Sequence, residues 1–216
     1  MNNLYLIGGS PRSGKTIIFN SVINKRPMVA ISSDALREGA RFALTGESFA
    51  NISDLSFDGD VSFHRTGDGT GVSYTKHFSQ RVSDDELTWN VVCGLINFYD
   101  KKDIPVIIEG MVITPERVKS LDLKNLKIKA AFVGFTDNLQ LKSMLEYAHV
   151  NKDWIYKEII DGDKEDESSV KKWYDEEKEN NKHVAFDARR YGYGFFSPNE
   201  SSFQEYCDKV IKYLLE

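Results

Sequence analysis

The sequence predicts an α/β fold of three layers, in which a parallel sheet of about five strands lies between helices. Two observations predict it: short apolar runs alternate with helical patterns along the chain, and several of the runs have the continuous apolar character of buried strands. The chain has 216 residues, 41% of them hydrophobic, which is enough for one sizeable core, so we expect a single domain over residues 1–216. The predicted strands are residues 4–7, 27–31, 104–109, 129–135 and 183–187.

The predicted helices follow from apolar residues spaced three to four apart and from the residue types at their starts. Ser83-Asp84-Asp85-Glu86 forms a capping box in front of one helical pattern, and Thr114-Pro115 supplies a cap followed by proline at the first helical position of another. Between residues 138 and 181 we expect two helices, separated near 161–165. The other predicted helices cover residues 15–24, 33–44 and 203–214.

Two segments are predicted to stand apart from the sheet. Residues 45–82 are rich in glycine, serine and aspartate, and the runs 61–65 and 71–76 flank a glycine-rich turn, a pattern that predicts a β-hairpin or flap. We expect this flap to bind substrate, because loops carried by a rigid scaffold often do. We expect a helical lid at about residues 150–175.

Composition and charge disfavour several classes of partner. The formal net charge of -5 argues against a surface that attracts nucleic acid or anionic membranes. No apolar run approaches the roughly 20 residues that a membrane-spanning helix requires. Cys93 and Cys207 lie far apart and without metal-ligand spacing, so we expect reduced thiols. These features predict a cytoplasmic protein that acts on small molecules.

A glycine-rich loop follows the first predicted strand and precedes a helix. Its spacing, Gly9-x-x-x-x-Gly14-Lys15-Thr16, matches the P-loop pattern in full. In such a loop the backbone N–H groups surround a phosphate, the lysine reaches the outer phosphates and the threonine hydroxyl binds Mg²⁺. The nucleotide-binding residues predicted here are Gly9, Ser10, Pro11, Arg12, Ser13, Gly14, Lys15 and Thr16.

Together with Ser33-Asp34-Ala35-Leu36-Arg37 and Val106-Ile107-Ile108-Glu109-Gly110, this loop resembles the motifs of the P-loop kinases. That group includes nucleoside monophosphate kinases, gluconate kinase, chloramphenicol phosphotransferase, zeta-toxin-type kinases and 2-phosphoglycerate kinase-like proteins. The resemblance covers most of the chain as an order of elements, whereas the flap and the C-terminal third match loosely. It implies a P-loop NTPase fold and a phosphotransferase that uses ATP or GTP with Mg²⁺ and a small acceptor.

The resemblance also implies roles for residues at the ends of two strands. Asp34 occupies the place of a carboxylate that orients the attacking hydroxyl, and Arg37 that of an arginine that holds an anionic acceptor; Arg41 is a further acceptor-binding candidate. For Asp34 the alternative is a charge that merely stabilises the start of its helix. Glu109 is implied as a contact for the Mg²⁺ hydration shell or for substrate, and the alternative is a strand-end carboxylate that faces solvent.

Arginine is where the chain departs from that group. P-loop kinase lids usually carry arginines that bind the transferring phosphate, but this chain has none between Arg117 and Arg189. Lysines in the expected lid supply charge without bidentate geometry. We therefore consider Arg12, as a catalytic residue inside the loop, or Arg189 and Arg190, which would bind nucleotide from the loop after the last predicted strand.

Aromatic residues at 191–196 would stack on a purine or pack against the end of the sheet. In the flap, His64 and Arg65 are candidates for binding an acidic acceptor.

Two rival functions use the same loop. A nucleotide-binding regulatory module or slow NTPase would tolerate Asp34→Asn because it has no acceptor. A sulfotransferase is the other, since Pro11-Arg12-Ser13-Gly14 is similar to the phosphate loop of that family; Lys15-Thr16 in place of its usual threonines argues against it.

Overall fold

The computed structural model describes residues 2–45, 55–56, 61–65, 72–76, 81–153, 155–156, 167–198 and 202–216. For residues 41–45, 55–56, 61–65, 72–76, 81–84, 167 and 169 the description is of the backbone alone. In chain order the elements are β1 (Asn3–Gly9), α1 (Lys15–Lys25), β2 (Val29–Ser32), α2 (Ser33–Thr45), β3 (Leu55–Ser56), β4 (Val61–Arg65), β5 (Val72–Lys76), β6 (Arg81–Ser83), α3 (Asp84–Lys102), β7 (Val106–Glu109), α4 (Pro115–Lys119), β8 (Lys127–Val133), α5 (Leu141–Asn151), α6 (Glu167–Arg190), β9 (Gly194–Phe196) and α7 (Phe203–Leu215).

A parallel sheet forms the centre of the described chain, and its five strands lie in the order β2-β7-β1-β8-β9. All its strand pairs are parallel, so their carboxyl ends meet at one edge. Ile7 of β1 and Ser32 of β2 both pair in register with Glu109 of β7. This register brings the residues that follow β1, β2 and β7 to one place, as the strand order along the sequence predicts.

The central strand β1 alternates its side chains between the two faces of the sheet. Leu4 and Leu6 belong to a buried cluster that includes residues of α3 and α6, whereas Tyr5 and Ile7 belong to a second cluster with residues of α1 and α7. The helices therefore cover both faces, and the predicted three-layer fold is confirmed.

A third cluster, with Phe135 as a member, joins α5 to α6 beyond the carboxyl end of β8.

The predicted strand at 183–187 is wrong, because these residues continue helix α6 to Arg190. Asn181, Ala185 and Ala188 are buried at a spacing of three to four, which is the helical period, while Phe186 is exposed. The fifth strand is β9, which pairs with β8 from Gly194 onward. Strand β9 has only three residues and begins with glycine, so its sequence carries little strand character.

Several local predictions are confirmed. Thr114 caps α4 by accepting a hydrogen bond from the Arg117 N–H at 3.4 Å, and Pro115 occupies the first helical position. Residues 61–65 and 72–76 pair as antiparallel strands in a second sheet of order β3-β4-β5-β6, whereas the turn between them, 66–70, lies outside the described residues.

Cys93 and Cys207 are free thiols, Cys207 buried and Cys93 partly buried. In the part of the chain that the structure describes, no helix combines the length and the apolar character needed to span a bilayer.

Candidate functional site

The phosphate loop connects β1 to α1 at the carboxyl edge of the sheet. It turns by means of positive φ angles, 64° at Arg12 and 86° at Gly14. Gly9, with φ of 130°, lies so close to β8 that a Cβ there would come within 1.8 Å of the Val133 carbonyl oxygen. The first glycine of the motif is therefore required by the approach of the loop to the neighbouring strand.

Two helices from the C-terminal part of the chain hold this loop. The Tyr206 hydroxyl of α7 donates to the Ser13 carbonyl oxygen at 2.7 Å. The Asn181 side-chain amide of α6 donates to Ser10 Oγ at 3.2 Å, and the Ser13 hydroxyl donates to the Ser10 carbonyl oxygen at 2.7 Å. Because the loop is held by buried hydrogen bonds, its shape does not depend on the phosphate alone.

The Lys15 ammonium is the cation at the centre of the site. It is 8% exposed and donates to the Ser10 carbonyl oxygen at 2.6 Å. Burial lowers the pKa of Lys15, and the negative charges of Glu109, Asp34 and Glu177 oppose that decrease. The lysine thus lies among carboxylates from three separate segments of the chain.

Glu109 lies at the end of β7, beside Ser32. Its carboxylate is 4% exposed, and Oε1 accepts a hydrogen bond from the Ser32 hydroxyl at 2.9 Å. Burial raises the pKa of Glu109; the Ser32 hydrogen bond and the Lys15 charge lower it, while Asp34 raises it further. The alternative of a solvent-facing carboxylate at this strand end is wrong.

Asp34 lies in the first turn of α2, where its negative charge also interacts favourably with the positive end of the helix dipole. Its Oδ1 is 3.6 Å from Arg37 Nη2, and both side chains are partly open to solvent. The two residues predicted to act on the phosphate acceptor are therefore neighbours, and both lie on α2.

Ser33 directly precedes Asp34 and lies beside Gly110, the residue after Glu109, and it was not predicted from the sequence. Its Oγ is buried and has no hydrogen-bond partner among the described residues. Gly110, with φ of 151°, leaves it room, because a Cβ at Gly110 would be 1.6 Å from that oxygen. The glycine after the Val-Ile-Ile-Glu strand is thus required by contact with the start of α2.

The Arg12 side chain lies against α5 and the turn that follows it. Its guanidinium forms an ion pair with Asp153 and lies over the Tyr147 ring, with Cζ 4.8 Å from the ring centroid. Its Nε is buried and has no hydrogen-bond partner among the described residues. Asp153 and Tyr147 carry no recognisable motif, so the sequence did not identify them.

Glu177 and Asn181 lie one turn apart on α6, and the structure relates both to the loop. Glu177 interacts electrostatically with Lys15; burial raises the pKa of Glu177, and Lys15 opposes the increase. Asn181 is 1% exposed. The sequence offers one indication that Glu177 and Asn181 share a face of α6, because residues four apart lie on one side of a helix. Tyr174 and Ala185 are buried on the neighbouring turns.

A cleft of about 930 Å³ runs between α6, β9 and α7, from the carboxyl edge of the sheet along its outer strand. Arg189 and Arg190 line it from the last turn of α6, so they precede the fifth strand instead of following it. Their predicted position after the last strand is wrong, although they share the cleft with residues at the strand ends. Other lining residues are Thr136, Lys182, Phe186, Ser197 and Lys209.

The aromatics near that cleft serve the core. Tyr193 and Phe195 pack against the cluster on one face of the sheet and Phe196 against the cluster on the other. Packing is thus observed for all three side chains, but Phe195 and Phe196 also line the cleft, so stacking on a purine stays a prediction.

The donor set of the site fits Mg²⁺. The Thr16 side chain is exposed at the start of α1, and the Glu109 carboxylate interacts electrostatically with Lys15, the residue before Thr16; both side chains offer oxygen ligands. Among the described residues, no group of three or more acidic, histidine or cysteine side chains forms a metal site by itself. This arrangement suits Mg²⁺, which uses few protein ligands and takes the others from phosphate and water.

Three of the predicted acceptor-binding side chains lie outside the described part of the structure. The backbone places Arg41 on α2 and both His64 and Arg65 on β4, and their side chains are not among those described.

Comparison with known proteins supports the fold. Shikimate kinase from Bacteroides thetaiotaomicron superposes with a TM-score of 0.55 at 13% sequence identity, covering 97% of this chain and 94% of that one. Dephospho-CoA kinase from Campylobacter jejuni superposes with a TM-score of 0.52 at 12% identity, covering 100% and 97%. These likenesses show that the chain has the P-loop kinase fold. No protein-family model and no curated protein sequence matches the chain.

Proposed function

We propose that the chain is a Mg²⁺-dependent P-loop kinase, which transfers the γ-phosphate of ATP or GTP to a hydroxyl or phosphate group of a small acceptor. One observation carries the proposal: the buried Lys15 of a complete phosphate loop interacts with the carboxylates of Asp34 and Glu109. Asp34 follows β2 and Glu109 ends β7, and these two strands lie on the same side of β1 in the sheet. Phosphoryl transfer needs this combination of positioning and charge neutralisation, and little covalent chemistry.

The loop binds the β- and γ-phosphates. Lys15 exchanges its hydrogen bond to the Ser10 carbonyl oxygen for phosphate oxygens, and the N–H groups at the start of α1 add donors. The neighbouring carboxylates raise the pKa of Lys15 against the effect of burial, which favours the neutral amine. Thr16 and Glu109 would hold Mg²⁺, which bridges phosphate oxygens and reduces their negative charge.

Asp34 orients the acceptor hydroxyl and accepts its proton, while Arg37 binds a negatively charged group of the acceptor. The 3.6 Å separation of their side chains supports a joint site. Arg41 and the flap residues His64 and Arg65 are proposed to complete the acceptor site. The flap at about 45–82 and the lid at about 150–175 would exclude water, which is the competing acceptor.

The nucleoside occupies the cleft beside β9 in this proposal. That cleft opens at the carboxyl edge of the sheet and contains Arg189 and Arg190, whose guanidinium groups suit stacking on a base or pairing with a phosphate. Since nucleotides and small acceptors of this kind are abundant in the cytoplasm, and both cysteines are free thiols, we propose that the protein acts there.

Transfer of labelled γ-phosphate tests the proposal. ATP and GTP are each supplied with Mg²⁺ to the wild type, to Lys15→Ala and to Asp34→Asn, together with pooled metabolites, nucleosides and oligonucleotides. We expect the wild type to make a labelled product that both variants lose. Transfer that survives in Asp34→Asn removes the role of Asp34, and label that appears only as inorganic phosphate replaces the kinase by a slow NTPase.

One observation favours that second candidate. Glu177 and Asn181, which relate α6 to the phosphate loop in the described part of the chain, are not cations. A site without an arginine at the transferring phosphate hydrolyses nucleotide slowly and suits a nucleotide-dependent switch. The choice between the two candidates depends on whether Arg12 serves the transferring phosphate.

A further inference from the structure

The backbone of Arg12 is held in an uncommon conformation. Its φ of 64° lies in the left-handed region, which costs a residue with a Cβ about 1 kcal/mol relative to glycine. The structure around Arg12 compensates this cost through the side chain, which has two partners on α5 and the turn after it. A strained residue inside a phosphate loop points to a functional constraint on its direction.

Asp153 is itself firmly placed. Helix α5 ends at Asn151, and Lys152 adopts φ of 47°, which turns the chain back at the helix end. Asp153 Oδ1 accepts the Tyr156 N–H at 3.2 Å, and Ile155 is fully buried in the cluster between α5 and α6. The carboxylate that meets Arg12 is therefore anchored on both sides.

The guanidinium retains an unused donor. Nη2 forms an ion pair with Asp153 and the Tyr147 ring covers one face, but Nε is buried without a hydrogen-bond partner among the described residues, as is Asp153 Oδ2. An unsatisfied buried N–H is costly, whereas a phosphoryl oxygen would satisfy it with a charge-assisted bond. This donor belongs to the phosphate loop, and the sequence has no arginine between Arg117 and Arg189 to serve the same purpose from the lid.

We propose that Asp153, together with the Tyr147 ring, is a positioning residue that orients Arg12 towards the transferring phosphate. The inference rests on the proposed phosphotransferase function and assigns the arginine that the lid lacks. Arg12 stabilises the negative charge of the phosphoryl group in transfer, and Asp153 fixes the plane of the guanidinium so that Nε faces the phosphate. Because a misplaced group loses most of its effect, the carboxylate matters for transfer far more than for nucleotide binding.

The test uses ADP and GDP with Mg²⁺, each with and without aluminium fluoride, which mimics the transferring phosphoryl group. The measured quantity is the factor by which aluminium fluoride tightens nucleotide binding, determined by calorimetry. We expect a large factor in the wild type, a decrease of about 10- to 100-fold in Asp153→Asn and Arg12→Lys, and an unchanged affinity of Asp153→Asn for the diphosphate alone. The double variant Arg12→Ala/Asp153→Asn should lose no more than Arg12→Ala, because the two residues act as a unit.

Matched variants separate this role from a structural one. Tyr147→Phe keeps the ring and should keep the wild-type factor, whereas Tyr147→Ala should lower it. Glu146→Gln breaks an exposed ion pair with Lys142 on the same helix and should change nothing. A factor in Asp153→Asn equal to that of the wild type overturns the inference, and so does a wild type for which aluminium fluoride has no effect. Absence of phosphate transfer in the wild type overturns the kinase proposal separately, since the binding factor needs no acceptor.

Discussion

Removing the Ser32 hydroxyl should move the pH dependence of Mg²⁺-nucleotide binding in a direction that the site fixes. Burial raises the pKa of Glu109, and the Ser32 hydrogen bond is the first of the interactions that lower it again. In Ser32→Ala the charged carboxylate loses that donor, so the pKa of Glu109 rises further. Glu109 is then protonated at a higher pH, and a protonated Glu109 no longer supports Mg²⁺.

The size of the effect follows from the strength of the bond. The hydroxyl donates to Glu109 Oε1 at 2.9 Å in a partly buried position. A hydrogen bond to a charged group contributes about 1.5 kcal/mol at the lower end of its range, and 1.36 kcal/mol corresponds to about a tenfold change in proton affinity. The affinity for Mg²⁺-ATP should therefore begin to fall about one pH unit earlier in Ser32→Ala than in the wild type as the pH decreases.

The assay is calorimetric titration with ATP over a series of pH values, in Mg²⁺ and in EDTA. Ser33→Ala is the matched control, because the Ser33 hydroxyl is adjacent but has no hydrogen-bond partner among the described residues; its profile should have the wild-type midpoint. In EDTA the affinity should not fall over this pH range, because Glu109 has no cation to support and its protonation only removes a negative charge beside the nucleotide. A Ser32→Ala midpoint that stays in place or moves to lower pH refutes this account of Glu109.

The remaining predictions concern the stability of the scaffold and its contact with the phosphate loop. Gly9→Ala should destabilise the fold by about 3 kcal/mol, because the φ of Gly9 is positive and a Cβ would collide with β8. Gly39→Ala, on the open face of α2, should instead stabilise the fold by about 0.5–1 kcal/mol, and thermal unfolding measures both changes. Asp100→Ala should lower the free energy of unfolding by about 2–3 kcal/mol at pH 7, because three backbone N–H groups donate to the Asp100 carboxylate. These hydrogen bonds outweigh burial and lower the pKa of Asp100, so their stabilisation is present above about pH 4 and is lost as the pH falls through the lowered pKa. The difference in stability between the variant and the wild type, measured by denaturant unfolding, should therefore shrink at low pH. Tyr206→Phe keeps the ring but removes the 2.7 Å hydrogen bond to Ser13, and nucleotide affinity should fall about fivefold, as measured by calorimetry.

The strands that carry the phosphate loop and Glu109 could be predicted because each is a buried apolar run with a polar residue at its end. The burial of Ile107 and Ile108 follows from such a run, and so does the emergence of Glu109 at the edge of the sheet. The error at 183–187 has the opposite cause. Val184 and Phe186 alternate like strand residues, but the buried positions Asn181, Ala185 and Ala188 follow the helical period.

The residues that surround the loop from the C-terminal half were not predictable in the same way. Tyr206, Asn181 and Asp153 reach the loop across 130 residues or more of sequence, and none of them stands in a recognised spacing. Their roles depend on how α5, α6 and α7 pack, which a local pattern does not contain. The position of Asp153 in particular depends on the turn at Lys152 and on the burial of Ile155, which both result from tertiary packing.

In the proposed nucleotide site, the balance of charge around Lys15 predicts dependence on a cation. Three carboxylates, those of Glu109, Asp34 and Glu177, act on one buried lysine, so we expect the site by itself to attract a triphosphate only weakly. The Arg12 charge is partly offset by Asp153, and the Arg37 charge by Asp34. We expect a divalent cation that enters with the nucleotide to reverse this balance next to Glu109, whose pKa Ser32 and Lys15 lower against the opposite effects of burial and Asp34. The arrangement of acidic residues therefore predicts selectivity for the Mg²⁺ complex over the free nucleotide, because each of them should weaken binding of the free nucleotide.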